Sequence, residues 1–368
     1  MNLDKYDYFL PKKNLALKPA IPRDSSKLFA YNTKTDEIIF DHFYNLDKYL
    51  SKDSFLVLNN TKVLPARVTM KKNSGGKMIA LFLVNEIKNN IVSVLVDRKI
   101  TIGEKIYFDK EFFLEIINQK EHIFDLEFNF SREKLFDLLK KYGTMPIPPY
   151  LKKSPLSKND LIKKYQTIFA RKKGSAAAPT ASLHFTDRVF KKLDKKGIER
   201  LFITLHIGLG TFAPITDENI KQKKLHQEYF EVDEETLRCI DTSKQEEKKL
   251  VAVGTTVTRT LESRARYRKF FDGKQKTLPA GRQGAKNLVS SLSRNIQGKT
   301  DLFIFSPYNF KMVDVLITNF HLPKSSLMML VEAFLQFKGA KKSLVELYNV
   351  AIKNDFRFYS FGDAMLIL

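Results

Sequence analysis

The sequence predicts an α/β fold, in which a large layered α/β domain with a mostly parallel sheet carries an inserted small β-barrel domain. Two observations lead to this prediction. Apolar runs of strand length alternate with helical stretches on both sides of the insertion, as in a parallel sheet that is covered on both faces. From residue 63 to about 130, short β-rich runs follow one another between turn signals, which is typical of a small barrel or sandwich. The predicted domains are 1–62 with 151–368, and 63–150.

The elements follow from periodicity and from the residues that end each run. The run at 55–58 is continuously apolar and ends at two asparagines, as a buried strand does, whereas the prolines of 145–151 predict an extended linker and the polar stretch 271–297 a loop. Strands are predicted at 27–31, 38–39, 55–58, 78–84, 91–96, 105–108, 112–117, 123–130, 202–207, 250–253, 301–305 and 313–318. Helices are predicted at 46–50, 133–142, 187–196, 233–240, 254–266, 326–337 and 344–354.

Composition excludes several classes of protein. With 368 residues and 43% hydrophobic content, the chain can build a sizeable core. No stretch has the roughly 18 uncharged apolar residues of a transmembrane helix, and the first residues lack the apolar segment of a secretory signal. The single cysteine, Cys239, excludes an internal disulfide and a cysteine-based zinc site. We therefore expect a cytoplasmic protein with a reduced thiol.

The net charge of +22 predicts a polyanionic partner, most often a nucleic acid. A generally lysine-rich composition is the alternative. The basic residues are clustered, however: 152–173 holds eight of them against one acid, and 259–299 holds eleven against two. Clustering favours a surface that follows phosphates.

Two dense blocks lie near the centre of the chain. Small residues dominate the first, 174–185 (GSAAAPTASLHF), and in the second, 203–215 (ITLHIGLGTFAPI), an apolar run typical of a strand is broken by His206 and then by glycines. Small side chains such as that of Thr180, and glycines directly after a strand such as Gly208 and Gly210, let the backbone approach a ligand closely. Close packing of the chain on itself is the alternative for each block.

Four histidines, His184, His206, His226 and His321, lie at the ends of apolar runs. Ligands of open α/β sheets gather outside the carboxyl ends of the strands, where Asn319 also falls. A shared cleft is therefore expected, although a purely structural role is the alternative for each histidine taken alone.

On a strand, His226 and Glu228 would face the same side. This spacing fits general acid–base chemistry in which Glu228 orients or charges the imidazole. A metal site with His206 and His321 is a second interpretation, although the spacings match no zinc signature. A plain surface pair is the third.

Further candidate site residues lie in three places: near the predicted domain boundary, after a basic run, and at the end of the chain. Asn60 and Arg67 flank a turn in which the guanidinium could clamp a carboxylate or phosphate; a structural turn is the alternative. Tyr165 and Gln166 could contact a base, or Tyr165 could pack in the core. Asp363 is a site carboxylate or a helix cap.

Thr255 and Thr256 follow a predicted strand and begin a predicted helix. The first N–H groups of a helix lack intrahelical acceptors, so this position is a natural anion site.

Nine segments run in order from Asp7 to Ile367: DYFLP, LVLNNTKVLPAR, PIPPYL, KYQTIFA, GSAAAPTASLHF, TLHIGLGTFAPI, VGTTVTRTLES, VDVLITNFHLPKSSLMMLVEAF and FYSFGDAMLI. In this order they resemble the S-adenosylmethionine:tRNA ribosyltransferase-isomerases of queuosine biosynthesis, over essentially the whole chain. The resemblance implies an α/β domain with an inserted β-barrel, in agreement with the segmentation above.

The resemblance also implies a reaction. The ribosyl moiety of S-adenosylmethionine is transferred to 7-aminomethyl-7-deazaguanine at the tRNA wobble position and isomerised, giving epoxyqueuosine-tRNA with release of adenine and methionine. S-adenosylmethionine is then the co-substrate, a tRNA carrying the modified base is the partner, and no metal, tightly bound cofactor or membrane is involved. We expect a monomer.

Set against this chemistry, the candidate residues divide into two groups. The proton transfers are assigned to His206, His226, Glu228 and His321. Substrate binding is assigned to Asn60, Arg67, Tyr165, Gln166, Thr180, His184, Gly208, Gly210, Thr255, Thr256, Asn319 and Asp363, with Arg67 placed to meet the methionine carboxylate.

The sequence departs from the family pattern at several positions: Lys223 replaces the first histidine of the His-x-Met-His-x-Glu motif, and Leu17, Lys27 and Ser182 replace a glutamine, an arginine and a glycine. The stretch 274–295 is expected to be a surface insertion. Two other functions remain open on residues alone. A non-catalytic RNA-binding protein would explain the charge, and a metal-dependent hydrolase would explain the histidines.

Overall fold

A computed structural model of the chain describes residues 2–120, 123–208, 215–272 and 295–368. Among these residues the strands are β1 (Lys27–Asn32), β2 (Glu37–His42), β3 (Ser54–Asn59), β4 (Thr61–Val63), β5 (Arg67–Lys72), β6 (Lys77–Lys88), β7 (Ile91–Val96), β8 (Lys105–Tyr107), β9 (Phe113–Lys120), β10 (Ile123–Glu127), β11 (Lys172–Ser175), β12 (Glu199–His206), β13 (Lys224–Asp233), β14 (Lys249–Val253), β15 (Asn295–Leu302), β16 (Val315–Asn319) and β17 (Ala364–Ile367).

Most described helices begin at a Ser, Thr or Asp whose side chain accepts a hydrogen bond from a backbone N–H of the first turn, as at Ser131, Thr186 and Ser343. None of the described helices is long and apolar enough to cross a membrane. The helices are α1 (Arg132–Tyr142), α2 (Lys158–Lys164), α3 (Asp187–Lys195), α4 (Asp217–Gln222), α5 (Glu234–Gln245), α6 (Thr255–Asp272), α7 (Ser326–Phe337) and α8 (Leu344–Lys353).

The large domain is built on a nine-stranded sheet with the order β15-β13-β12-β3-β14-β16-β17-β1-β2. Its centre, β12-β3-β14-β16, is parallel throughout. Antiparallel pairs extend the sheet on both sides, through β13 and β15 at one edge and at the β16–β17 and β1–β2 pairs on the other side. The predicted fold class is confirmed, with the parallel strands forming the centre of a mixed sheet.

Both faces of this sheet are covered, which explains why its central strands are apolar without alternation. Along β3, Phe55 and Val57 belong to one buried cluster, whereas Leu56 and Leu58 belong to another on the opposite face. Successive side chains of a strand point to opposite faces, so a strand buried on both must be apolar at every position.

The second unit is a closed barrel with the strand order β10-β7-β6-β5-β8-β9. Closure removes the exposed strand edges that an open six-stranded sheet would present. The barrel has its own core, which includes Val68, Phe82 and Leu114, and Leu135 of α1 packs into it. We propose that this domain has the limits 63–150, since its strands lie between Arg67 and Glu127 and α1 follows them.

Several elements differ from the expectation. Strands β4, β5 and β11 and helix α2 were not predicted, and the predicted helix 46–50 is a 3-10 turn at Phe43–Lys48. The predicted loop 271–297 overlaps β15, which begins at Asn295; residues 273–294, which hold most of the expected insertion, lie outside the described residues. Exposed and half-buried residues alternate over the first five positions of β15, because successive side chains of a strand point to opposite faces, and within the described sheet β15 is an edge strand that pairs with β13. Strand β17, which inserts between β16 and β1, was not predicted because the strand signal competed with a terminal Gly-Asp turn.

Candidate active site

The four parallel strands at the centre of the sheet end along one edge. Strand β3 ends at Asn59, β12 at His206, β14 just before Gly254, and β16 at Asn319. The amide of Asn59 joins three of these ends, because it donates to the Leu205 carbonyl over 2.9 Å and to Thr256 Oγ1 over 3.3 Å. The predicted gathering of polar groups at the carboxyl ends is therefore present.

A cleft opens at this edge, and five of the predicted residues line it: Thr180, Thr255, Thr256, Asn319 and His321. The remainder of its wall is formed by small, apolar and hydroxyl-bearing side chains. None of the described residues that line the cleft is Lys, Arg, Asp or Glu. The cleft therefore presents hydrogen-bonding groups without formal charge.

His321 lies on the wall of this cleft, held from several sides. Its Nε2 is 2.7 Å from Thr318 Oγ1, its backbone N–H donates to the Tyr348 hydroxyl over 2.9 Å, and its carbonyl accepts from the Tyr8 hydroxyl. Burial lowers the pKa of the imidazole to about 3. His321 is therefore a neutral imidazole at physiological pH.

His184 lies behind the wall rather than on it. Its Nδ1 is 2.8 Å from Ser26 Oγ and its Nε2 is 3.2 Å from the Asn319 amide nitrogen. Burial first, and then the charges of Arg357 and Arg23, lower its pKa to about 3. The ring acts on the cleft through Asn319.

His206 is packed beside the cleft and does not line it. Its Nδ1 is 2.7 Å from Thr61 Oγ1, its ring stacks on Tyr229, and Gly174 lies against Nε2. A Cβ at Gly174, where φ is +148°, would come within 2.7 Å of that nitrogen. Burial, with a smaller contribution from Lys172, lowers the pKa of His206 to about 4. Glycine in the first small-residue block therefore makes room for this ring.

The expectation that His226 and Glu228 share one environment is not met. His226 is exposed, whereas Glu228 is 3% exposed and pairs with Arg259 of α6. The pairing of β13 with β15 shifts register between Lys224 and Glu228, so the simple two-residue alternation does not hold there. Gly208 donates its N–H to Glu228 Oε1 over 3.1 Å.

Tyr165, Gln166 and Asn60 make contacts within the protein in this arrangement, and the base contact of the first two stays a prediction. Tyr165 is fully buried and packs edge-on against Phe361. Gln166 bonds both backbone groups of Val63, through Oε1 over 3.1 Å and through Nε2 over 2.6 Å. Asn60 Oδ1 accepts from Thr204 Oγ1 over 2.7 Å. These side chains hold the chain where it enters and leaves the barrel.

Asp363 and Arg67 also lie off the cleft wall. The carboxylate of Asp363 accepts from the backbone N–H groups of Lys27 and Arg357 and from the Arg357 guanidinium, so it organises the chain end and neither caps a helix nor enters the cleft. Arg67 begins β5, where its backbone pairs with Thr144. Gly210 lies outside the described residues.

Four residues that the structure places at this edge were not among the candidates from the sequence. Tyr150 and Ser360 line the cleft and bond each other over 2.7 Å, while Tyr8 holds His321. Arg259 lies one helical turn after Thr256 and neutralises Glu228. All four lie within or beside the segments that carry the family resemblance, so the signal was present in the motifs but not in the residue types.

A metal site is not assembled from the candidate histidines. Across residues 2–120, 123–208, 215–272 and 295–368, no group of three or more His, Cys, Asp or Glu is placed to hold a metal ion. Of the four residues in the metal interpretation, only His321 lines the cleft.

Comparison with known proteins identifies the family. A family model described as queuosine biosynthesis protein matches residues 3–367. The S-adenosylmethionine:tRNA ribosyltransferase-isomerases of Halothermothrix orenii and of Sulfurihydrogenibium sp. are 41% and 42% identical to this chain, each over the full length of both proteins. The crystal structure of S-adenosylmethionine tRNA ribosyltransferase from Thermotoga maritima is similar over 99% of this chain and 100% of that chain, with 31% identity and a TM-score of 0.52. The chain therefore belongs to the S-adenosylmethionine:tRNA ribosyltransferase-isomerase family of queuosine biosynthesis, and it is an enzyme.

Proposed function

We propose that this enzyme transfers the ribosyl moiety of S-adenosylmethionine to 7-aminomethyl-7-deazaguanine at the tRNA wobble position and isomerises it, giving epoxyqueuosine-tRNA. The observation that carries the proposal is the full-length likeness to relatives that bear the name of this activity. The cleft at the carboxyl edge supports it, because an uncharged wall with hydroxyl, amide and imidazole groups suits a nucleobase.

The reaction makes three demands on the site. A bond forms between the amine nitrogen and a ribosyl carbon, the bonds from ribose to adenine and to the methionine sulfur break, and a rearrangement within the ribosyl unit forms the remaining bonds of the epoxide-bearing product. The carbon next to the sulfonium must lose a proton, the departing adenine must gain one, and the attacking amine must be uncharged. Acid–base groups are therefore needed on both the nucleoside side and the tRNA side.

His321 is buried and His226 is exposed, and this difference assigns them to different sides of the reaction. His321 lines the cleft as a neutral imidazole, and a neutral ring can donate a hydrogen bond to a leaving base without needing to be protonated first. The N-terminus of α6 at Thr255 adds a partial positive charge beside the same cleft. We assign His321 to the departure of adenine, and the exposed His226 to proton transfer on the tRNA side.

The central experiment incubates the purified enzyme with S-adenosylmethionine and a tRNA that carries 7-aminomethyl-7-deazaguanine. We expect release of free adenine and methionine, and only when the modified tRNA is present. Binding of the tRNA without release would instead indicate the non-catalytic RNA-binding protein.

Replacing either histidine by alanine is expected to lower turnover by about 10²-fold or more, since each removes an acid–base or hydrogen-bonding group from the reaction. The two variants should differ in binding: His321→Ala weakens S-adenosylmethionine binding measured by calorimetry, whereas His226→Ala leaves it unchanged. Near-normal turnover of either variant would remove that residue from the scheme.

A basic strip lies beside the same edge of the sheet. Arg171, Lys172 and Lys173 are all exposed at the start of β11, and the next residue, Gly174, contacts His206. Lys172 forms a surface ion pair with Glu231 over 3.0 Å, which contributes little to stability because it is solvated. We assign this strip to the tRNA backbone.

Changing Arg171, Lys172 and Lys173 together to glutamine is expected to raise the KM for tRNA at least about 10-fold in moderate salt, and to reduce the slope of log KM against log salt concentration by about 2 to 3. Steady-state kinetics over a salt series measure both. The matched control changes Lys34, Lys52 and Lys249 to glutamine; these exposed lysines lie around the amino ends of β3 and β14, away from the cleft. Equal effects of the two triple variants would contradict the assignment.

A further inference from the structure

The orientation of the Asn319 amide is determined by its surroundings. Its nitrogen lies 3.3 Å from the Tyr359 carbonyl and 3.4 Å from the Asp363 carbonyl. Carbonyl oxygens only accept hydrogen bonds, so the group that faces them must be the NH2. The side-chain oxygen must then point the other way.

That oxygen is a hydrogen-bond acceptor without a partner. Asn319 is 2% exposed, and its Oδ1 makes no hydrogen bond to any described residue. A buried acceptor that has given up its hydrogen bonds to water without forming others is costly, and such a group in a native protein calls for an explanation, such as a catalytic or binding role. Asn319 lines the cleft, so the ligand would be whatever the cleft holds.

Two further residues keep the amide in this orientation. The Asn319 amide nitrogen donates to His184 Nε2, so the single proton of the neutral ring must sit on Nδ1, which donates to Ser26 Oγ over 2.8 Å. Ser26 is 2% exposed and touches the cleft only through this chain. Ser26 and His184 are thus positioning residues for Asn319.

The uncharged wall of the cleft limits which hydrogen-bond donors can bind to Asn319 Oδ1. An ammonium or sulfonium group would enter this cleft without a counter-ion, because the described wall has no carboxylate and the nearby Asp363 is occupied by Arg357 and two backbone N–H groups. A guanine-type edge presents two adjacent donors, N1–H and the 2-amino group, and is best matched by two acceptor atoms, whereas Asn319 offers one unpaired oxygen. Adenine offers one exocyclic amino group, and that group is neutral.

We propose that Asn319 Oδ1 accepts a hydrogen bond from the exocyclic amino group of the adenine of S-adenosylmethionine, and that Ser26 and His184 position it to do so. Asn319 is then the residue that selects adenine over other bases in the donor. This inference rests on the proposed function and specifies which part of the co-substrate occupies the cleft.

The test uses an S-adenosylmethionine analogue in which hydrogen replaces the adenine amino group. For the wild-type enzyme we expect kcat/KM to be about 10²-fold or more lower with the analogue, because a site built for an N–H group rejects a ligand that lacks it. For Asn319→Ala we expect kcat/KM to be equally low with S-adenosylmethionine and with the analogue. Ser26→Ala should show a reduced preference while retaining turnover, because it loosens the acceptor without removing it.

Several outcomes are decisive. Asn118→Ala, on the barrel, is the matched control and should keep the wild-type preference. Equal use of both donors by the wild-type enzyme would overturn the inference without any variant having to fold, and so would a full preference retained by Asn319→Ala. The inference would also be overturned if kcat/KM fell when the 2-amino group was removed from the tRNA base and not when the adenine amino group was removed from the donor. If the wild-type enzyme releases no adenine from S-adenosylmethionine at all, the proposed function itself fails.

Discussion

Arg259→Ala is expected to lower the free energy of unfolding by about 3 to 5 kcal/mol, because it removes the positive charge that Arg259 places against the buried carboxylate of Glu228. Both side chains are almost fully buried, and the guanidinium also donates through Nε to the Leu302 carbonyl over 3.0 Å. Gly208 contributes one further N–H to the carboxylate but no charge. Urea unfolding measures the effect.

Two controls separate the buried charge from general damage. Arg238→Ala removes an exposed ion pair with Glu234 on α5 and should cost less than about 1 kcal/mol. Adding Glu228→Gln to Arg259→Ala should recover part of the loss, because an amide needs no counter-charge. A cost for Arg259→Ala as small as that for Arg238→Ala would show that the pair is not desolvated in solution.

Lowering the pH from 7.5 to 5.5 is expected to reduce the free energy of unfolding by about 4 kcal/mol through three buried histidines. Burial lowers the pKa of His184 and His321 to about 3 and that of His206 to about 4. The unfolded chain, with histidine pKa values near 6.5, then binds protons that the folded chain does not. Stability from these groups is therefore complete above about pH 6.5 and is lost as the pH falls from there, to about 4 for His206 and to about 3 for His184 and His321, by about 1.4 kcal/mol per histidine and pH unit.

Urea unfolding at pH 7.5, 6.5 and 5.5 measures this dependence. His184→Asn should remove about one third of it. Because the cause is desolvation rather than surface charge, 0.5 M salt should leave the slope nearly unchanged. A stability that does not change between pH 7.5 and 5.5 would mean that these imidazoles are accessible to protons in the folded enzyme.

The sequence predicted the fold class because each central strand and helix carries its own local pattern. The apolar run of β3 and the caps of α3 and α8 are visible without any tertiary information. The short strand β4 and the edge strand β15 are defined mainly by their pairing partners, and for that reason they were missed or displaced.

The candidate site divides in the same way. Residues at strand ends and helix starts, such as Asn319 and Thr255, were found because position along an α/β chain predicts the carboxyl edge, whereas Thr180 was found within a block of small residues. For Tyr165 and Asp363 the sequence left two roles open, and only packing reveals that the first side chain is enclosed by the core and that the carboxylate of the second accepts from backbone N–H groups.

The linear order of residues, by itself, determined the family, the layered architecture and the list of polar groups available for chemistry, because motifs, periodicity and composition are local properties of the chain. Only the tertiary structure decided which of those groups meet, which are neutral and which remain free to bind. Burial and partner choice depend on residues far apart in sequence: Ser26, His184 and Asn319 form one hydrogen-bonded chain across more than half of the protein.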